Sequence, residues 1–303
     1  AKQLHVTQPA VSKRLANLES LFGTPLIDRM PRDARLTVAG KLLQERGQQI
    51  LREVDNTRSA IRNLDSDIVG PLSMATSHHI GLHYLPEVIK KYLKNHPQVD
   101  LDLHFLASEA IEEALLAGEV ELALLTLPPV RKPLLCYQQL WRDELCFVVG
   151  KEHPLALSSV ESGSTTQFMA KTIINDNDIE NETNIARRQS TELLTQLTQY
   201  RAILPGIESV TFQLISDLFN NHQIELRPSV PTNYLETIKM MVSVGLGWGV
   251  LPRTMLDDSL RVLAIASELS RELVVVFDNR RNLSNPAKAM LTELEGRHSV
   301  LFG

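Results

Sequence analysis

After Gly70-Pro71 the chain alternates short apolar runs with segments of helical periodicity, and this alternation limits the fold more than any other feature. Leu72 to Thr76 reads as a strand, Leu82 to Leu93 as a helix, and Val99, Leu101, Leu103 and Phe105 as the inward residues of a half-buried strand. A helix is expected from Ser108, closing at Gly118, where a C-cap glycine belongs, and Glu121 to Leu125 supplies the next strand. Repetition of strand, helix and strand puts helices on both faces of a largely parallel sheet, the α/β class. Glu144 to Val149 and Val262 to Ile265 are then the expected crossings between two lobes, with Arg271 to Phe277 and a helix from Pro286 completing the first. Residues 158–195, rich in Ser, Thr, Asn, Asp and Glu, read as a mobile polar insert on the surface. Its cluster from Ile174 to Glu182 lacks the central Gly and ordered ligand alternation of a calcium loop.

A chain of 303 residues exceeds one ordinary core, so two or three compact units are expected. The longest apolar runs, such as Leu273 to Phe277, fall far short of the ~20 residues that span a bilayer. Ala1 to His5 carry no apolar export signal, so a cytoplasmic protein is expected, with no membrane partner. Cys136 and Cys146 lack metal-type spacing and read as buried free thiols, redox sensing being the other use. The net charge of −5 is unevenly spread: residues 1–65 hold eleven Lys or Arg against seven Asp or Glu, whereas the rest holds twenty against twenty-nine. A small basic module on a larger acidic body suits attraction to a phosphate backbone at one end.

That basic end carries a specific pattern. Thr7 can cap a helix whose first turn accepts Pro9, and Val11, Leu15, Leu18 and Phe22 form one apolar stripe. Gln8, Ser12, Lys13 and Asn17 fall on the other side, which is either a solvated face or a base-reading one. A recognition helix enters the major groove N-terminus first, which would place the Gln8 amide against adenine and Ser12, Lys13 and Arg14 against phosphates. Phe22 to Arg29, followed by Arg32, Arg35 and Leu36-Thr37, looks like a β-wing whose arginines can reach backbone or minor groove. Thr37 can cap a second helix, in which Leu43, Gly47, Ile50, Val54, Thr57, Ile61 and Leu64 recur at spacings of four and three. This seam packs either on the chain's own body or on a partner helix.

Leu4 to Glu19, then Leu21 to Arg29 and Arg35 to Gly40, resemble the DNA-binding signature of the LysR family almost position for position. The resemblance implies a winged helix-turn-helix at residues 1–36, truncated at its N-terminus, and a linker and dimerisation helix at 37–66. It further implies an α/β, two-lobed, periplasmic-binding-protein-like (type 2) effector domain at 70–303, with lobe I at about 70–149 and 263–303 and lobe II at about 150–262. Thr7, Gln8, Pro9, Ser12, Lys13, Arg14, Arg32 and Arg35 then correspond to DNA-contacting positions. The family places another helix before this signature, and without it the stripe of Val11, Leu15 and Leu18 would forgo burial worth about 1.5–3 kcal/mol per side chain. Expected partners are a double-stranded DNA operator, a small-molecule effector and further copies of the chain in a homodimer or homotetramer.

Ligands in open α/β lobes sit beyond the carboxyl ends of strands, where helix N-termini face a crevice. Thr76, Ser77 and His78 follow the first strand and can hold a carboxylate or other polar head group, with Ser108 in the equivalent loop after the second strand. In the facing lobe the corresponding residues are Glu208, Thr211 and Asn233, although Thr, Ser and Asn equally often cap helices without touching ligand. His79 and His83 are four apart and could share a metal, but no H-E-x-x-H and no Cys cluster accompanies them, so no metal and no cofactor is expected. Gly245-Leu246-Gly247-Trp248-Gly249 lacks the dinucleotide form and reads as a structural turn. With no nucleophile elbow, P-loop or paired carboxylates, no enzyme is expected; the alternative is a two-lobed solute-binding protein with no DNA-binding role.

Overall fold

The computed structural model describes residues 7–30, 33–64, 67–161 and 176–301. The chain divides into two compact units, residues 1–66 and 67–303. In the first, α1 (Gln8–Phe22) ends at Gly23 in the left-handed conformation. The antiparallel hairpin β1 (Ile27–Met30) and β2 (Asp33–Leu36) follows, and then the 25-residue helix α2 (Val38–Arg62). The wing and the long helix are therefore where the periodicity puts them. Thr37 starts α2 by accepting the Gly40 N–H at 2.9 Å, while its hydroxyl donates to the Pro25 carbonyl. Thr7 differs: its backbone takes the N-cap position but its hydroxyl makes no capping bond. Pro9 at the second helical position removes one of the two N–H groups that a cap hydroxyl could bond.

The second unit opens with β3 (Gly70–Thr76), α3 (His78–His83) and α4 (Leu85–Asn95), then β4 (Val99–Phe105), α5 (Ser108–Ala117) and β5 (Leu122–Thr126). The single helix expected over Leu82 to Leu93 is thus two, broken at Tyr84, because Pro86 has no N–H to continue the ladder. Gly118 closes α5 with φ +76°, as its position predicts. Next come the 16-residue strand β6 (Leu135–Gly150), α6 (Pro154–Glu161), α7 (Asp176–Leu197), β7 (Ala202–Leu204), α8 (Val210–Asn221) and β8 (Pro228–Pro231). The chain ends with α9 (Leu235–Ser243), β9 (Trp248–Pro252), β10 (Leu260–Val262), β11 (Ser270–Asp278) and α10 (Asn285–Leu301).

These strands form a nine-stranded sheet ordered β4-β3-β5-β11-β6-β9-β7-β8, with β10 beside β6. It is mixed rather than largely parallel. β3 runs parallel to β4 and β5, and β7 to β8 and β9, whereas β6 and β11 pair antiparallel to each other and to their other neighbours. A parallel neighbour requires a crossover, and no helix separates β5 from β6 or β10 from β11.

β6 and β11 also carry the chain between two cores. Leu72, Met74, Leu122, Leu124, Trp141, Leu273 and Val275 pack with α4 and α10, and the alternate residues Ala75, Ala123, Leu125, Val274 and Val276 pack with α5 on the other face. In the second lobe Leu145, Phe147, Val149, Leu204, Trp248 and Val250 pack with α7 and α8, and Val148, Ile203 and Leu251 pack with α9. Leu263, Ile265 and Leu269 join this second core, so the changeovers fall between Trp141 and Leu145 and between Leu269 and Leu273. The expected crossings at Glu144 to Val149 and Val262 to Ile265 are each displaced by a few residues. An unbroken strand gives the sequence no punctuation at that point.

The polar insert also departs from expectation, because its described residues are helical, in the end of α6 and in α7. Leu194 and Leu197 bury in the second core, and Ser190 accepts the Ala266 N–H at 2.8 Å. Residues 162–175 and the side chains of the 174–182 cluster lie outside the described residues. Cys136 and Cys146 are free thiols, half-buried rather than buried. Among the described residues no helix is long and apolar enough to cross a membrane.

Candidate functional site

In the first unit Gln8, Pro9, Ser12, Lys13, Arg14 and Asn17 are all exposed along α1, and Arg35 is exposed on β2. Arg32 lies outside the described residues. The apolar stripe is graded, with Val11 and Leu15 half-buried but Leu18 and Phe22 exposed at 41% and 51%. Glu19 is a residue the sequence reading passed over. Its carboxylate accepts the Leu26 N–H at 2.8 Å and the Ile27 N–H at 3.3 Å, tying α1 to the start of the wing.

In the second unit a cleft of about 410 Å³ opens between the two cores. The N-terminal ends of α3, α5, α8 and α9 border it, and such ends favour negative charge through their unpaired N–H groups. Ser77 lies on it with its hydroxyl making no helix-capping bond. His78 stacks on Phe105 at 5.1 Å and meets Tyr234 edge-on at 5.5 Å, so aromatic rings from both lobes flank the opening. Glu208 is exposed at the rim, Thr211 is buried at the floor, and the Asn233 side-chain carbonyl accepts the Gly206 N–H at 2.9 Å. The expectation for Thr76 is corrected: it is fully buried and donates to the Leu124 carbonyl, because strand alternation puts it on the same face of the sheet as Leu72 and Met74. Ser108 starts α5, and its side chain lies outside the described ones.

Beneath these residues sits a buried polar network that the sequence reading missed. Arg271 and Asp143 are cross-strand partners on β11 and β6, with side chains 8% and 1% exposed. Arg271 Nε donates to Asp143 Oδ2 at 2.8 Å and Nη1 donates to Thr211 at 2.9 Å, while the Tyr84 hydroxyl donates to Asp143 Oδ1 at 2.7 Å. Nη2 of Arg271 makes no hydrogen bond among the described residues, and the residue lines the cleft. Burial opposes ionisation of Asp143, but its contact with His79, the Arg271 charge and the Tyr84 hydroxyl outweigh burial and hold its pKa below the ordinary value. Burial and the neighbouring carboxylate push the Tyr84 pKa up, keeping that hydroxyl a donor. Removing one partner of such a pair would leave an uncompensated buried charge, at a cost of about 3–5 kcal/mol.

Sequence spacing links His79 to His83, and the fold adds Glu236 from the opposite lobe. His83 Nε2 lies 3.1 Å from Glu236 Oε1. His79 Nε2 stands 3.4 Å from Asp143 Oδ2, close enough for an ion pair but outside hydrogen-bond geometry, and burial lowers its pKa.

Comparison with known proteins gives two family matches: "LysR substrate binding domain" over residues 66–162 and 181–298, and "Bacterial regulatory helix-turn-helix protein, lysR family" over residues 1–41. An uncharacterized HTH-type transcriptional regulator of Azotobacter vinelandii is 53% identical over 85 residues, which is 28% of this chain and 59% of that protein. A probable RuBisCO transcriptional regulator of Trieres chinensis is 26% identical over 92% of this chain and 80% of its own length. Among solved structures, a full-length OxyR variant from Pseudomonas aeruginosa aligns with TM-score 0.64 at 19% identity, covering 99% of this chain and 88% of that one. The effector binding domain of QuiR in complex with shikimate aligns with TM-score 0.59 at 19% identity, over 78% of this chain and 100% of that domain. At these identities the structural matches speak to the fold.

Proposed function

The chain belongs to the LysR family of DNA-binding transcriptional regulators, joining a helix-turn-helix segment to an effector-binding domain, and from that premise we propose that a small anion held in the cleft controls how the α1 head engages operator DNA. The observation that carries the effector class is Arg271. Two of its nitrogens are committed to Asp143 and Thr211, which fixes the guanidinium, and the third is left for a ligand. A carboxylate there would pair with a charge already desolvated and oriented, next to helix N-termini of the same sign. Ser77, His78, Glu208, Thr211 and Asn233 supply the remaining polar contacts. Ligand contacts made from both lobes would favour one lobe geometry over another, and a ligand shifts an equilibrium only by such differential binding.

On the DNA side, Gln8 reads a base edge in the major groove, Ser12, Lys13 and Arg14 meet phosphates, and Arg32 and Arg35 reach backbone or minor groove. A pair of heads about one DNA turn apart suits a pseudo-palindromic operator and a homodimer or homotetramer in the cytoplasm. The reading involves no catalysis. Fluorescence anisotropy on a labelled duplex from upstream of the protein's own coding region, over a salt series, tests it. Lys13→Ala should reduce the salt slope by about 1 on every sequence, and Gln8→Ala should cost about 1–3 kcal/mol and relax sequence preference. Small carboxylates should shift the wild-type curve, whereas Thr211→Val, which removes the acceptor that orients Arg271, should blunt that response. Binding without sequence selectivity, or a Thr211→Val response equal to wild type, would reject the corresponding half of the proposal.

A further inference from the structure

His79 is 5% exposed, yet neither of its ring nitrogens has a hydrogen-bond partner among the described residues. Nε2 is within ion-pair distance of Asp143, at 3.4 Å, but Nδ1 has no hydrogen-bond partner among the described residues; a buried polar group left this way costs about 1–3 kcal/mol, so the position calls for an occupant. The nearest ring is His83, its centroid 5.0 Å away on the next turn of α3, and His83 in turn meets Glu236 at the start of α9. One donor atom from each of the three lies within 4.8 Å of the others. The contact between His83 and Glu236 accounts for two of these groups as an ordinary polar pair. It does not account for the imidazole behind them.

We propose that His79, His83 and Glu236 form a site for a divalent transition-metal ion of the zinc, cobalt and nickel kind, held between the two lobes. Two imidazole nitrogens and one carboxylate oxygen are a borderline donor set that suits these ions and not calcium or magnesium, which take mainly oxygen. Metal–ligand bonds of about 2.0–2.2 Å put donors about 3.4 Å apart in a tetrahedron; the His83 and Glu236 atoms, 3.1 Å apart, already stand that close, so the approach needed is theirs toward His79, by roughly an ångström from within 4.8 Å. Two of the three side chains can make that adjustment, being 27% and 40% exposed for His83 and Glu236. Asp143 Oδ2 stands 3.4 Å from His79 Nε2 and adds a second carboxylate beside that imidazole; such outer carboxylates commonly orient metal-binding histidines. Three protein ligands leave a fourth position open to water or to an anion in the adjoining cleft. Because α3 and α9 belong to different lobes, the ion ties the lobes together beside the cleft that Arg271 lines.

The test uses the 303-residue chain, untagged and freed of metal with a chelator, and reads zinc chloride by calorimetry and cobalt chloride by visible absorption. The expected result is one saturable equivalent, d–d bands from cobalt in a low-coordinate site, and no competition from magnesium. His83→Ala and Glu236→Gln should each weaken zinc by about ten-fold or more and abolish the cobalt bands, with circular dichroism unchanged. His83→Gln serves in place of His83→Ala if that variant loses its fold. Zinc binding of unchanged affinity in the His83 and Glu236 variants, or no saturation at one equivalent in the wild type, would overturn the site. Neither measurement involves DNA or effector, so its outcome stands apart from the regulatory proposal.

Discussion

His153 shows how burial fixes one protonation state. It is 5% exposed, packs on Tyr200 at 4.5 Å, and accepts the Leu155 N–H on Nδ1 at 3.2 Å. Burial lowers its pKa from the ordinary 6.5, and protonating Nδ1 would also destroy that acceptor. The unfolded chain therefore takes up a proton near 6.5 while the folded chain resists until lower pH. The stability from keeping the ring neutral is complete above that value and is lost as pH falls through the folded pKa. Urea midpoints between about pH 8 and pH 5 should decline in the wild type and decline less in His153→Gln. His79, also lowered by burial, contributes in the same direction, so the flattening is partial. Parallel curves for the two proteins would assign the decline to other groups. The sequence marks neither histidine as buried, and it cannot mark Asp143 and Arg271 as partners, because they meet only through a strand register linking positions 128 residues apart. The position of Ser77, His78, Glu208, Thr211 and Asn233 along the cleft is legible for a simpler reason: each sits near a helix N-terminus that borders it.

At the scale of elements the sequence says more, since side chains on strands and helices alternate with fixed periods that survive tertiary packing. β3, β4, β5, α5 and α2 begin within a few residues of where those periods put them. Misreadings arise where composition outweighs period. α7 is rich in Asn, Thr and Asp, poor helix formers, and it is held by Leu194, Leu197 and Ser190 near its C-terminal end. The junction of wing and long helix depends on a closer fit than any pattern reveals. A Cβ added to Gly40 would stand 2.1 Å from the Leu26 carbonyl oxygen, a backbone atom that cannot yield without opening the contact between α2 and the hairpin. Gly40→Ala should therefore destabilise the first unit by about 1–3 kcal/mol, against about 1 kcal/mol for Thr37→Ala, which removes the cap and the exposed bond to the Pro25 carbonyl. Chemical unfolding of the two variants followed by circular dichroism would distinguish them. A Gly40→Ala protein as stable as wild type would mean that α2 can lift from the wing at no cost.

For the molecule as a whole, the governing fact is an apolar seam that is exposed along α2 among the described residues. Ile50, Val54, Ile61 and Leu64 are exposed at 65%, 43%, 62% and 83%, and they follow the alternating four and three spacing of a helix that packs against another helix. Over 25 residues α2 is about 37 Å long, enough for several such layers along one partner. A second copy offers the same seam, and a twofold pairing of α2 would join two positively charged heads into one reader of two half-sites. Ile50→Glu combined with Ile61→Glu places carboxylates on that seam, where pairing would have to desolvate them. Sedimentation should show the wild type associated and the double variant shifted toward monomer, with each unit's circular dichroism retained. Operator affinity should then fall by about 10²–10⁴, since the second head loses its high effective concentration, while the salt slope per head is preserved. A double variant that stays associated would place the interface elsewhere, and α2 would then need another partner to cover its exposed side.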